Sequence, residues 1–423
     1  MRAWVLAVLA ACAPPPGVPR GPADEPGERP PDQTRYYAIW LGGARVGTAT
    51  EQEQWTTAGV RLHRVEALRF LRGDTPIAMS TAIDIDADPM LHARAVRWRE
   101  LGDARVDARR DRVGEQREAS AVHGRDGWRV SSGVRVVADA TPAELVPLIV
   151  RRDGRFAGPV FLPARGFVGG DGWIDPIASD RLVARLSLTG GALAEATIDL
   201  DRDRMPARVV DGEGVIAIRI SEAQAAQAFP AADLIAATAI AIGGTRTRPA
   251  LVLDGELALP PVPGQAARVT HDGVEVSLGA GLAGDLPATT RSADRTAQIV
   301  AVVALVRARI TPDLGAAPHD ARDASAATAG DCTTFALAYA ATAAQLAIPT
   351  RVVTGLRVDR DRLIRHRWAV SWTGTRWIAV DAAFGAAPAG GDLIGLAVHD
   401  ADDAGLVTGE AALTQVVAAS WAR

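Results

Sequence analysis

The chain has 423 residues, enough to bury a sizeable core and to form more than one domain. A formal net charge of −4, with 23% charged and 48% hydrophobic residues, fits a globular protein and leaves no basic surplus for binding nucleic acid. There is no lysine and no asparagine, so all 46 basic residues are arginine and no N-glycosylation acceptor exists. A side chain that orients a catalytic histidine in this chain cannot be Asn.

The N-terminus reads as an export signal over residues 1–11. Met1-Arg2 supplies a positive charge, and a short apolar run ending in small residues follows. The run is too short to span a bilayer as a permanent helix. Its end, Leu9-Ala10-Ala11-Cys12, resembles the lipobox of bacterial lipoproteins. That resemblance implies lipidation of the Cys12 thiol and cleavage before it. It also implies a lipid-anchored protein of the bacterial cell envelope, and Ala13 after the cysteine implies the outer membrane, facing the periplasm. An ordinary cleaved signal is the other reading. Residues 12–34 are rich in Pro, Gly and charge and form a flexible tether.

Residues 35–225 carry short stretches of period-two alternation broken by Gly and Asp turns, which predicts an antiparallel β-rich domain. Tyr36-Tyr37-Ala38-Ile39-Trp40, a turn at Leu41-Gly42-Gly43 and a second strand read as its opening hairpin. This pair resembles the start of β-domains that precede some bacterial transglutaminase-like domains. Thr141-Pro142-Ala143-Glu144 predicts a helix start, with Thr141 as N-cap and Pro142 at the first position. The arginine-rich run 105–112 reads as a solvated face. Residues 226–290 read as a connecting β-segment, with 230–242 open between helix and strand.

Residues 291–423 read as a second, α+β domain. A helix over 293–310 places Ile299, Val302, Val303, Val306 and Ile310 on one face and stops at Thr311-Pro312. A second helix runs from Cys332 to about Leu346. Strands follow over 351–358, 367–372 and 376–380.

The chain contains two cysteines, Cys12 and Cys332. With Cys12 lipidated, Cys332 has no disulfide partner, and a lone thiol in an exported protein points to reactivity. Cys332 opens a helix, where backbone N–H groups and the helix dipole favour a thiolate. His366 and Asp381 follow on separate strands. A nucleophile, a base and an orienting carboxylate in that order outline covalent catalysis at a carbonyl. Backbone N–H groups near Cys332 supply an oxyanion site. His399-Asp400 is a second candidate base. The remaining histidines show no metal-ligand spacing, so no metal or other cofactor is expected.

These residues sit in recognisable segments. Gly330-Asp331-Cys332, Ile348-Pro349-Thr350-Arg351, His366-Arg367-Trp368-Ala369 and Trp377-Ile378-Ala379-Val380-Asp381-Ala382-Ala383-Phe384-Gly385 resemble the core of the transglutaminase-like superfamily. The resemblance covers about residues 290–400. It implies a papain-like α+β fold in which Cys332 is the nucleophile, His366 the base and acid, and Asp381 the orienting group. Trp368 is expected to line the substrate groove. Val370 stands where many members carry Glu, and Ala383 where they carry Thr.

The chain is therefore expected to be an N-terminal antiparallel β domain followed by a transglutaminase-like α+β domain. The expected activity is cleavage or transfer at amide bonds of a protein or peptide substrate through a thioester. The competing reading is a catalytically silent scaffold or binding lipoprotein on the same fold. Apart from the substrate, the expected partner is the membrane, through the N-terminal lipid.

Overall fold

The computed structural model describes residues 30–101, 118–131, 133, 136–188, 193–212, 214–255, 257–279, 286–287, 289–316 and 321–422. The export signal, Cys12, residues 12–29 of the tether and the run 105–112 lie outside the described residues. The chain divides into two compact units, Met1–Ala237 and Thr238–Arg423.

The first unit is built on a 14-stranded sheet. Its first seven strands, from Gln33–Leu41 to Gly127–Val130, pair in sequence as an antiparallel meander. A second run, from Thr141–Pro142 to Val215–Ile220, pairs the same way, except that Thr141–Pro142 lies parallel to its neighbour. The last strand closes back on the first, with Tyr36 opposite Ile220 and Leu41 opposite Val215. Alternation puts Trp55, Leu62, Ile85, Val96 and Trp98 on the inner face, where they pack with Leu145, Leu148, Phe161 and Phe167.

The helix expected at Thr141 starts later. Thr141 and Pro142 pair with Val160 and Phe161, so their backbone belongs to the sheet. A 3-10 turn follows at Ala143–Leu145, and the α-helix runs Val146–Asp153 with Pro147 in its first turn. Gly154 ends it in the left-handed conformation, φ 78°.

This inner face also carries charge. Arg35, Glu51 and Arg64 are cross-strand neighbours in one row and are all buried. Glu51 accepts from Arg35 Nη1 at 2.9 Å and from Arg64 Nη1 at 3.0 Å. Glu53 accepts from both terminal nitrogens of Arg151, at 3.2 and 2.9 Å, and is also in contact with Arg35. Buried charges persist only when paired in this way.

The second unit contains three longer helices, α1 (Thr296–Arg309), α2 (Cys332–Gln345) and α3 (Asp403–Leu413). Four strands surround the site: β1 (Thr350–Asp359), β2 (Arg362–Trp372), β3 (Trp377–Val380) and β4 (Leu393–His399). They belong to a 9-stranded sheet that also holds Ile240–Gly243, Ala250–Asp254, Gln265–Thr270, Gly273–Leu278 and Ala418–Trp421. The span 230–242, open between helix and strand in the sequence, holds a short helix, Leu234–Ala237, and then enters the strand Ile240–Gly243.

The helices dock by the apolar stripe read from the sequence. Ile299, Val302, Val303, Val306 and Ile310 pack against Phe335, Ala338, Tyr339 and Ala343 of α2 and against Ala369, Ile378 and Val380 of the sheet. Burying side chains of this size contributes about 1.5–3 kcal/mol each. Tyr339, buried within this core, satisfies its hydroxyl on Ser371 at 2.8 Å.

Candidate active site

One edge of β2 is shared between two short strands. Ile240 and Ala241 pair with Leu363 and Arg362, and β3 pairs with residues 369–372. Between these ladders lies the stretch 364–368, with His366 at its centre. Asp381 follows directly after β3, at the rim of this gap. The sheet thus brings the two residues side by side although they are 15 positions apart.

Cys332 is the first residue of α2, and Asp331 is its N-cap. The Asp331 Oδ1 atom accepts from the N–H of Thr333 at 2.9 Å and of Thr334 at 3.2 Å. This satisfies two of the donors that a helix start leaves open and fixes the direction in which the thiol leaves the helix. Gly330 is required by close approach, because a Cβ there would overlap the Thr334 side chain. Among the described residues Cys332 is a free thiol of intermediate exposure.

His366 and Asp381 are buried, at 5% and 3% exposure. His366 Nε2 lies 2.8 Å from Asp381 Oδ2. The ring is also within reach of Cys332, and Nδ1 is the nitrogen that Asp381 leaves free. Asp381 is itself held by a tight turn. Its N–H donates to the carbonyl of Ala386 at 2.8 Å, and its Oδ1 accepts from Phe384 N–H at 3.2 Å. One carboxylate oxygen therefore anchors the turn while the other holds the imidazole.

Burial opposes a charged imidazole at His366, but the hydrogen bonds to Asp381 and Cys332 outweigh it and raise the group to about 9. The site is thus poised to hold an imidazolium at neutral pH.

His399 behaves in the opposite way. Its Nδ1 donates to the carbonyl of Asp400 at 2.8 Å, and its Nε2 accepts from the hydroxyl of Thr354 at 2.9 Å. Burial first, then the nearby Arg367 charge, lower it to about 3, so it is a neutral structural histidine. His366, not His399, is the histidine engaged by a carboxylate and by Cys332.

Trp368 is 1% exposed. It stacks on His366, with ring centroids 6.0 Å apart, and packs with Val262, Val353, Val370 and Ala379. The aromatic side chain that reaches solvent beside the base is Phe384, 58% exposed, whose ring meets His366 edge-on at 5.5 Å. Arg357 covers Phe384 from 3.5 Å, bonds Asp392 at 2.8 Å and lies 3.9 Å from Asp381. Phe384 lies inside the segment that resembles the family pattern, but Arg357 meets Asp381 and Asp392 only through the fold, so nothing local in the sequence marks it.

Residues 283–382 match the family model of the transglutaminase-like superfamily. The fold is accordingly a mixed α+β arrangement with a large N-terminal β-sheet and a C-terminal transglutaminase-like region. Cys332, His366 and Asp381 all fall inside the matched span, as do α1, α2 and β1 to β3. Helix α3 and strand β4, which pack against β1, lie beyond the end of the match. Searches among curated proteins and among solved structures gave no match.

Proposed function

We propose that the chain is a cysteine-dependent amidase, peptidase or protein-glutamine acyltransferase acting through Cys332, His366 and Asp381. The observation that carries the reading is the contact line from the partly exposed Cys332 through the buried His366 to Asp381 Oδ2. The Cys332 sulfur attacks the carbonyl carbon of an amide, and the carbonyl oxygen becomes an oxyanion. The N–H of Cys332, which the Asp331 cap does not use, is the candidate donor to that oxyanion. Collapse breaks the C–N bond as the His366 imidazolium gives its proton to the leaving amine. The acyl group is left as a thioester on Cys332. Water or a second amine then attacks it, losing a proton to His366, and the thiol is restored.

The protein is, on the same reading, a lipoprotein of the bacterial cell envelope. Lipid on Cys12 anchors it in the outer membrane, the chain between Cys12 and the first strand at Gln33 forms the tether, and the substrate is a protein or peptide met in the periplasm. Incorporation of labelled palmitate into the wild type and not into Cys12→Ala tests the anchor.

The nucleophile is tested by iodoacetamide at neutral pH, following the Cys332 peptide by mass spectrometry. Cys332 should alkylate much faster than free cysteine, and His366→Ala should remove the difference. A wild-type rate equal to that of free cysteine would overturn the reading.

A further inference from the structure

Beside the triad runs a second buried network that no step above uses. Arg367 follows His366 on β2 and is 6% exposed. Its guanidinium donates in three directions to three different elements. Nε meets Thr354 Oγ1 of β1 at 2.8 Å, Nη1 meets Thr333 Oγ1 of α2 at 2.9 Å, and Nη2 meets Glu410 Oε1 of α3 at 2.9 Å.

Two adjacencies in the chain give this pattern meaning. His366 and Arg367 are consecutive on β2, and Cys332 and Thr333 are consecutive on α2. The Arg367–Thr333 bond therefore ties the neighbour of the base to the neighbour of the nucleophile. The Asp331 cap fixes the first turn of α2 within itself, whereas Arg367 fixes that turn to the strand carrying the base.

The other acceptors hold the guanidinium still. The Thr354 hydroxyl accepts from Arg367 and donates to the neutral His399, so its one proton is committed. Glu410 supplies the countercharge that a buried guanidinium needs, with Arg365 a further 3.8 Å from its other oxygen. Only a planar fork with separate donors reaches three acceptors at once. The single nitrogen of a lysine would keep the charge and lose the geometry.

We propose that Arg367 is a positioning residue that, through Thr333, sets the placement of the Cys332 thiol against His366. This rests on the proposed triad. Its consequence is that the reactivity of Cys332 depends on a hydrogen bond made by the next residue.

The test is the pH dependence of Cys332 alkylation by iodoacetamide, with circular dichroism as the check on folding. Thr333→Ser keeps the acceptor and should match the wild type in rate and profile. Thr333→Val keeps the shape without the acceptor. It should slow alkylation at neutral pH by about tenfold or more and move the rise in rate to higher pH. Arg367→Lys should fall with Thr333→Val despite its retained charge. A wild-type profile in Thr333→Val, with His366→Ala slow, would overturn the positioning role and leave the triad standing. A wild type no faster than free cysteine would overturn the triad and this role with it.

Discussion

His366 Nε2 stands 2.8 Å from Asp381 Oδ2, and the same carboxylate is pinned through Oδ1 to the amide of Phe384. The imidazole therefore cannot rotate without breaking a bond to a group that is itself fixed. Asp381→Asn keeps the shape but removes the charge that favours imidazolium. We expect Cys332 alkylation at neutral pH to fall by about tenfold or more, with little loss of folded protein. An unchanged rate would show that the carboxylate charge is not used.

The two buried histidines should give stability opposite slopes with pH. His366 is raised from 6.5 to about 9, so its contribution is fully present below about pH 6.5 and is lost as pH climbs through 9. His399 is lowered from 6.5 to about 3, so its contribution is present above about pH 6.5 and is lost as pH falls towards 3. Urea midpoints of wild type, His366→Gln and His399→Gln across this range check both. The His366→Gln deficit should shrink on the alkaline side. The acid-side decline should be shallower in His399→Gln.

Glu144 is buried with Oε2 unpartnered, and desolvation raises it to about 7. Its folded value exceeds the ordinary 4.5 of a glutamate, so its contribution is full below about pH 4.5 and is lost as pH rises through 7. Glu144→Gln removes the charge at nearly constant volume. Thermal denaturation at about pH 8 should show a gain on the order of 1–3 kcal/mol, vanishing towards about pH 4.5.

Gly409 of α3 lies against the Thr354–His399 pair, and a Cβ there would overlap the Thr354 hydroxyl. Gly409→Ala should destabilise the second unit by about 1–3 kcal/mol despite the better helix propensity of alanine. The urea midpoint measures this, and a stabilised variant would mean that α3 shifts freely away from β1.

Cys332, His366 and Asp381 were legible as candidates because each sits in a short local pattern. Gly330-Asp331-Cys332 places a capped helix start, and Trp377 to Asp381 places a carboxylate at a strand end. The helix α1 was legible for a similar reason, since its apolar spacing meets one core. What stayed hidden depends on contacts between distant residues. Arg367 reaches acceptors 13, 34 and 43 positions away, and an arginine in an alternating strand looks like any solvated one. Arg35 and Arg64 likewise occupy inward positions of their strands, where a charge is not expected, and the carboxylates of Glu51 and Glu53 let them stay there. The helix expected from Thr141 starts later because pairing with Val160 and Phe161 prevails over its local capping signals.

The broad sheet of the first unit ends in its two shortest described strands, Gly127–Val130 and Thr141–Pro142, of 4 and 2 residues. A margin that brief offers an incoming chain few backbone groups to pair with. Sheet growth from molecule to molecule, a hazard for any wide antiparallel surface, has little to start from. Molecules crowded together would meet edge to edge often without polymerising.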